Sequence, residues 1–414
     1  MEKKNAILII LDGLGDLPTP ELGDLTPLQA AKKPNLDHVA SIGACGLVLV
    51  AGGKAVESDL AHLILLGYDH VQDYPGRGPL EALGIGLDLH AGDIALRGNL
   101  ACVDQNNVIL DRRAGRNIPE AQSIIQAIDG LTLPEFPGIT FHAMHSTEQR
   151  FACALHGPGL SANVSIPNGV KSGVPASECM PVDGTPEAKN TAAIINAVVK
   201  KAHAILASHP SNEERLKKGL PAINAILLYG PGGLKAVPSM KERYKVDAAC
   251  VAGNGLIKGV CKYLGMTLLP CEGATGTAAT NLDAKVDVVA ARYKEFDLTF
   301  MHVKATDSFG HDKLPLQKTA FIEQIDAAIG RLLRKIDLGK TFLFITGDHA
   351  TPCLVGNHTG DPVPIVMAGP TVIRDDVNTL DETSCGRGYL ARVEGKHVMP
   401  IVLNKLDKLK KFGA

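Results

Sequence analysis

The sequence predicts an α/β fold: a doubly wound core sheet carrying a smaller inserted α+β domain. Three observations predict it. Continuous apolar runs such as Ala6–Leu11 and Phe342–Ile345 read as buried strands, and Leu298–Thr306 reads as a further strand. Stripe-patterned stretches of helical length alternate with such runs, among them Asn190–Ser208 and Leu316–Asp337, and that alternation marks a parallel sheet with crossover helices. Between residues 93 and 187 the texture changes to short alternating segments and loops. That span is expected to be the inserted domain, leaving 1–92 and 188–414 as the core.

At 414 residues the chain exceeds one ordinary core, which agrees with two domains. An apolar fraction of 45% and a charged fraction of 21% fit a globular enzyme and exclude disorder. A net charge of −2 gives nucleic acid and anionic membranes little to hold. Aromatics at 4%, with no Trp, offer no base-stacking platform. The 9 cysteines are odd in number and scattered without C-x-x-C spacing, as reduced, buried thiols would be. The apolar run after Met1 is too brief for a signal segment or a membrane span. The expectation is a cytoplasmic protein with no membrane or nucleic-acid partner.

The first strand, Ala6–Leu11, hands over to Asp12-Gly13-Leu14-Gly15. Asp12 therefore sits at a strand's carboxyl end, where ligands collect in open α/β sheets. Thr26 and Pro27 open a helical stretch to Ile42 as N-cap and first residue, and Pro34 splits it in two. A loop with Gly52 and Gly53 then leads to Ser58 near a helix start, where free N–H groups favour an anion. Ser58 is either an N-cap or a nucleophile, and His62 lies one turn on, on the same face.

Arg77, between two glycines, has room to meet phosphate or carboxylate. Within the insert, Arg112, Arg113 and Arg116 crowd into one short stretch of a near-neutral chain, a cluster suited to the same anions. Ala225–Leu228 and Ala248–Val251 are expected to resume the core sheet, and the basic tail Lys405–Lys411 reads as a solvated amphipathic helix.

The strand beginning at Leu298 ends in a turn bearing Asp307 and His311, a carboxylate and an imidazole spaced to close on one metal ion. Lys304, among apolar neighbours just before that turn, needs an anionic partner. Phe342–Ile345 runs into Thr346-Gly347-Asp348-His349, and His358 follows in a loop. Each residue alone has a plain reading as a capped turn or a surface histidine. The ordered set Asp12, Ser58, Asp307, His311, Asp348, His349 and His358 is much less readily produced by chance. If the strands preceding them are neighbours, these groups meet at one sheet edge. They suffice for two divalent cations, the clamp used in phosphoryl transfer, with the Ser58 hydroxyl as nucleophile. Asp and His donors suit Mn, and also accept Zn, Co or Mg to different degrees.

Leu11-Asp12-Gly13, Thr26-Pro27-Leu28-Gln29-Ala30-Ala31, Ser58-Asp59-Leu60-Ala61-His62 and Gly76-Arg77-Gly78-Pro79 carry a family resemblance. It continues through Asp111-Arg112-Arg113-Ala114-Gly115-Arg116, Gly310-His311-Asp312, Gly347-Asp348-His349-Ala350-Thr351-Pro352-Cys353 and Asp361-Pro362-Val363-Pro364. Nearly end to end, the chain resembles the archaeal-type, 2,3-bisphosphoglycerate-independent phosphoglycerate mutases of the alkaline phosphatase superfamily. The resemblance implies an alkaline-phosphatase-like core, interconversion of 3-phosphoglycerate and 2-phosphoglycerate in glycolysis, and a transient phosphoserine at Ser58. It implies that Asp307, His311 and His358 hold one metal, and that Asp12, Asp348 and His349, with Ser58, hold the other. It also makes His62, Arg77, Arg97, Arg112, Arg113, Arg116, Arg150 and Lys304 candidate substrate contacts, with the insert closing over a small phosphorylated metabolite.

The chain departs from that pattern in three places. Leu160–Pro167 has no acid and no His where the family carries an Asp-rich stretch ending in His. Tyr229 stands where an Arg is usual, and Gln149-Arg150 where a His-Arg pair is usual. These changes keep open an alternative: the same metal–serine machinery acting as a mutase, phosphatase or phosphotransferase on another small phosphorylated metabolite.

Overall fold

Short apolar strands set the frame. A computed structural model of the chain describes residues 4–115, 118–167, 171–411 and 413. The chain begins with β1 (Asn5–Leu11) and β2 (Ala44–Leu49). It continues through β3 (Ile94–Val103), β4 (Ile109–Asp111), β5 (Thr140–Thr147), β6 (Arg150–His156), β7 (Val164–Ser165), β8 (Met180–Pro181) and β9 (Ala225–Gly233). It ends with β10 (Ala248–Val251), β11 (Thr267–Leu268), β12 (Leu298–Val303), β13 (Thr341–Thr346), β14 (Val363–Ala368) and β15 (Ala391–Glu394).

These residues divide into two units, Met1–Tyr74 with Val237–Ala414, and Pro75–Ala236. The first holds an eight-stranded sheet in the order β11-β10-β12-β1-β13-β14-β2-β15. Every residue of β1 is buried, so the middle of the sheet is covered on both sides. Ile7, Ile9 and Leu11 join a core with Leu36, Val289, Phe321 and Ile329, contributed by helices Pro34–Ile42, Leu282–Arg292 and Pro315–Leu333. The expected pair of short helices after Thr26 is present, and Thr26 and Gln29 form a reciprocal capping box at the start of the first.

Strand order brings the site together. β1 pairs in parallel with both β12 and β13, so their carboxyl ends lie on one edge. β14 is antiparallel to β13 and to β2, which turns the start of β14 and the end of β2 toward that same edge. Asp12, Asp307 and Asp348 follow β1, β12 and β13, Ser58 follows β2, and His358 precedes β14.

The second unit is larger than the span 93–187 read from the sequence. Helix Arg77–Ile85 packs on β3, and β9 pairs with β3 along most of its length. Ala225–Leu228 therefore belongs to a five-stranded antiparallel sheet, β4-β3-β6-β5 with β9 on β3, rather than to the core sheet. The long helix Pro186–Ala207 adds Ile194, Ile195 and Val198 to that unit's own core. The expected tail helix is also displaced: Val398–Lys405 is helical, and residues 408–411 are not.

Candidate metal centre and active site

Asp12 leaves β1 wholly buried, and two cationic or hydrogen-bearing groups meet it. Lys304 Nζ donates to Oδ1 at 3.0 Å, and His302 Nε2 lies 2.9 Å from Oδ2. The same Lys304 ammonium donates to Asp307 Oδ2 at 2.5 Å. The expected turn with Asp307 and His311 is a helix, Ala305–His311, which stacks the two residues on one face at i and i+4. Asp348 accepts from the Gly13 N–H at 2.9 Å through Oδ1, while its buried Oδ2 has no hydrogen-bond partner among the described residues. Gly13 is required here: its φ is +62°, and a Cβ would fall 2.8 Å from the Asp307 Cα.

Three imidazoles complete the set, and each has its Nδ1 held by the protein. His349 Nδ1 lies 3.0 Å from Thr351 Oγ1, whose hydroxyl donates to Asp307 Oδ1 at 2.8 Å. His358 Nδ1 donates to the Val56 carbonyl at 2.8 Å, and His311 Nδ1 to that of Gly356 at 3.1 Å. With the Nδ1–H groups so placed, the neutral rings present lone pairs at Nε2, whereas a protonated His358 donates from Nε2 to Asp307. His358 Nε2 and His311 Nε2 lie 3.3 and 3.4 Å from Asp307 Oδ1, and 3.1 Å from each other. His349 Nε2 lies 3.3 Å from Asp348 Oδ2 and 3.5 Å from Asp12 Oδ1. The Ser58 hydroxyl, in the first turn of helix Ser58–Leu65, is 3.1 Å from His349 Nε2.

The electrostatics follow from crowding. Burial and the Asp348 carboxylate push Asp12 up to about 7, against the pull of Lys304. Burial also works against Asp307, yet its hydrogen bond with His358 and the Lys304 charge hold it well below the usual carboxylate range. Burial opposes the Lys304 ammonium, but Asp12 and Asp307 hold it charged beyond the ordinary lysine range. His302 is kept neutral by burial.

This donor chemistry fits divalent cations. Two imidazole lone pairs 3.1 Å apart repel unless a proton or a metal cation lies between them. A buried carboxylate oxygen with no donor is unfavourable for the same reason. Two groups offer donors mutually close enough for one ion each: Asp307, His349 and His358, and Asp12, Asp348 and His349. His349 thus adjoins both groups, rather than only the one shared with Asp12.

The remaining expected contacts fall in different places. His62 is only 1% exposed, with Nδ1 on the Ser58 carbonyl at 2.6 Å and its ring edge-on to Phe300 and His302. It supports the Ser58 turn from beneath instead of facing a ligand. In the second unit, Arg77 and Arg97 both approach Glu81 Oε1, at 3.3 and 3.4 Å, and Arg97 lies over the Tyr229 ring. Arg97 pairs across strands with Tyr229, and Asn99 with Arg150, so these side chains share one sheet face. Arg150 also meets Glu148 at 3.2 Å. Arg112 and Arg113 occupy the turn after β4, held by Asn99 and Asp111, and Arg116 lies outside the described residues.

Two residues in contact with the cluster escaped the sequence reading. His302 sits inside β12 and looks like a strand residue; its signal was its i, i+2 spacing to Lys304, which puts both on one face toward Asp12. Thr351 joins Asp307 to His349 and lies two residues past the latter, within the matched stretch.

A sheet edge bearing acids and imidazoles in this arrangement defines a metalloenzyme, and the chain belongs to the metalloenzyme superfamily, whose family model matches residues 4–405. Within it, the chain belongs with the 2,3-bisphosphoglycerate-independent phosphoglycerate mutases. It is 42% identical over 416 residues to mutase 1 of that kind from Methanocaldococcus jannaschii, covering 100% of both chains. It is 40% identical to the Thermococcus kodakarensis mutase, again over 100% of both. Among solved structures, a Pyrococcus horikoshii protein is 36% identical over 100% of both chains with a TM-score of 0.86. A cofactor-independent phosphoglycerate mutase from Thermoplasma acidophilum is 34% identical, covering 97% of this chain and 100% of its own, with a TM-score of 0.71. The α/β fold expected from the sequence is the fold these relatives share. Among the described residues, no helix is long and apolar enough to cross a membrane.

Proposed function

We infer that this chain interconverts 3-phosphoglycerate and 2-phosphoglycerate, with Ser58 carrying the phosphoryl group between the two hydroxyls. One observation carries the reading: the Ser58 hydroxyl lies 3.1 Å from His349 Nε2, among the two donor groups. Divalent cations, for which Mn is the proposed identity and two the proposed number, would lower the pKa of a hydroxyl and offset charge on a transferring phosphoryl group. Asp307, His311 and His358 would hold one, and Asp12, Asp348, His349 and Ser58 the other.

The chain's own residues do the rest. Helix Ser58–Leu65 directs its N-terminal dipole at Ser58 Oγ, favouring negative charge there. Ser58 Oγ gives up its proton and attacks phosphorus, the bond from phosphorus to the glycerate oxygen breaks, and that oxygen takes up a proton. After glycerate reorients, its other hydroxyl gives up its proton and attacks the phosphoserine, the bond from phosphorus to Oγ breaks, and Ser58 Oγ takes up a proton. Arg77, Arg97 and Arg150, with Arg112, Arg113 and Arg116, are proposed to hold the substrate's carboxylate and phosphate. Tyr229, in place of an arginine, donates to Asn99 at 3.3 Å and packs under Arg97, so it is proposed to orient that guanidinium. With 9 free cysteines, all but Cys271 buried, the enzyme is proposed to work in the cytoplasm.

The test is an enolase-coupled assay with 3-phosphoglycerate and Mn. Turnover in the parent and its loss in Ser58→Ala are expected. Absence of turnover, with phosphate released from a panel of other small esters, would replace the mutase reading by the phosphatase one.

A further inference from the structure

A second cluster of histidines lies in the unit Pro75–Ala236, and the phosphoryl chemistry makes no use of it. Asp93, just ahead of β3, is a buried carboxylate, 6% exposed. Its Oδ2 accepts from His156 Nδ1 at 2.8 Å and from the His90 backbone N–H at 2.5 Å, and it lies 3.5 Å from His90 Nδ1. Donor atoms from His90, Asp93 and His156 all fall within 4.8 Å of one another. A third imidazole adjoins them: His142 of β5 has its ring centroid 5.4 Å from that of His156. His142 Nδ1 is oriented by Asp129 at 3.2 Å, which leaves Nε2 available. His90, His142 and His156, together with Asp88, line a cavity of about 460 Å³.

The plain alternative is a turn capped by Asp93. That accounts for the bond to the His90 N–H and for nothing else in the cluster. It does not explain why three imidazoles from three separate segments border one cavity. Nor does it explain why His142 has its Nδ1 fixed by Asp129, the arrangement that orients a histidine for a metal.

We propose that His90, Asp93 and His156, joined by His142, form a second metal site for a borderline divalent transition ion of the zinc class, distinct from the catalytic centre. Imidazole with a single carboxylate favours Zn, Ni or Cu over Mg or Ca. Tetrahedral zinc with ligand bonds of about 2.0–2.1 Å places its donors roughly 3.3 Å apart, inside the observed spread. The site lies at the opposite end of β3 and β6 from Arg150: Ile94 pairs with Leu155, whereas Asn99 pairs with Arg150. That separation is roughly 16 Å along the strand. A bound ion would tie the turn before β3 to the β5–β6 hairpin without touching the arginines.

The test uses the full-length enzyme stripped by a chelator and titrated with Zn²⁺ against a chromophoric competitor. His90→Ala/His142→Ala is the informative variant, because these side chains are 78% and 46% exposed and their loss leaves the fold intact. The parent is expected to take up one equivalent more than this variant, with mutase activity unchanged between them. A second variant, Asp12→Asn/Asp307→Asn, cripples the catalytic set and is expected to keep one equivalent that disappears when the two pairs of changes are combined. Parent and His90→Ala/His142→Ala binding equal zinc, with equal affinity, would overturn the proposal. That outcome would leave the phosphoserine reading untouched, since neither result depends on turnover.

Discussion

Lys304→Met isolates what the clustered acids Asp12 and Asp307 cost one another. Lys304 Nζ bridges Asp12 and Asp307 at 3.0 and 2.5 Å, and Met preserves the length of the side chain while removing the charge. Removing one partner from a buried ion pair costs about 3–5 kcal/mol, because the other charge stays buried and unpaired. At roughly 2–4 °C per kcal/mol for a unit of this size, the metal-free variant should melt about 6–20 °C below the metal-free parent. The same change strengthens the attraction for cations, so Mn²⁺ affinity should rise about tenfold or more, equivalent to about 1.4 kcal/mol. Added Mn²⁺ should therefore close most of the gap in melting temperature. Differential scanning calorimetry with and without Mn²⁺, together with isothermal titration, measures both quantities. If metal-free Lys304→Met melted within about 2 °C of the parent, or bound Mn²⁺ more weakly, the picture of acids held together by Lys304 would be wrong.

Gly13→Ala places a methyl 2.6 Å from Thr351 Oγ1 at a backbone φ of +62°; left-handed strain plus overpacking should cost about 2–4 kcal/mol in urea unfolding, and a loss below about 0.5 kcal/mol would refute the close approach. Arg97→Met removes a guanidinium from the Arg77–Glu81–Tyr229 group, and KM for phosphoglycerate should rise about 10- to 100-fold while the melting temperature stays near that of the parent. Burial depresses Lys285 to about 8 from 10.5, so between those values the unfolded chain binds more protons and stability must rise with pH. Measured against Lys285→Met, whose side chain does not titrate, the parent should gain about 2 kcal/mol between pH 8 and pH 10; a flat difference would show that the ammonium is not desolvated.

The core strands and the acids that follow them were legible because β1 and β13 are short apolar runs that reach a carboxylate within two residues, and because strands covered on both faces leave no alternation to misread. Convergence was not legible from any single run. It depends on β12, β1 and β13 being neighbours, which only long-range pairing decides. For the same reason Ala225–Leu228 reads as a core strand but pairs with β3: a short apolar strand looks alike in either sheet, and β3 lies more than a hundred residues earlier. The unit boundary moved with it, since helices Arg77–Ile85 and Pro186–Ala207 follow the sheet they cover. His302 was hidden because a histidine inside an apolar strand gives no outward sign that Asp12 sits beside it. His62 was placed on the correct helix face, but its burial beneath Ser58 depends on Phe300 and His302, residues from a distant strand.

The most direct measurement is acid quenching of the enzyme during turnover with 3-phosphoglycerate and Mn, followed by peptide mass spectrometry. The account predicts a phosphoryl group on the peptide carrying Ser58, absent without substrate and absent from Ser58→Ala. Full turnover with no phosphoryl group at Ser58, or with one on a different residue, would contradict it.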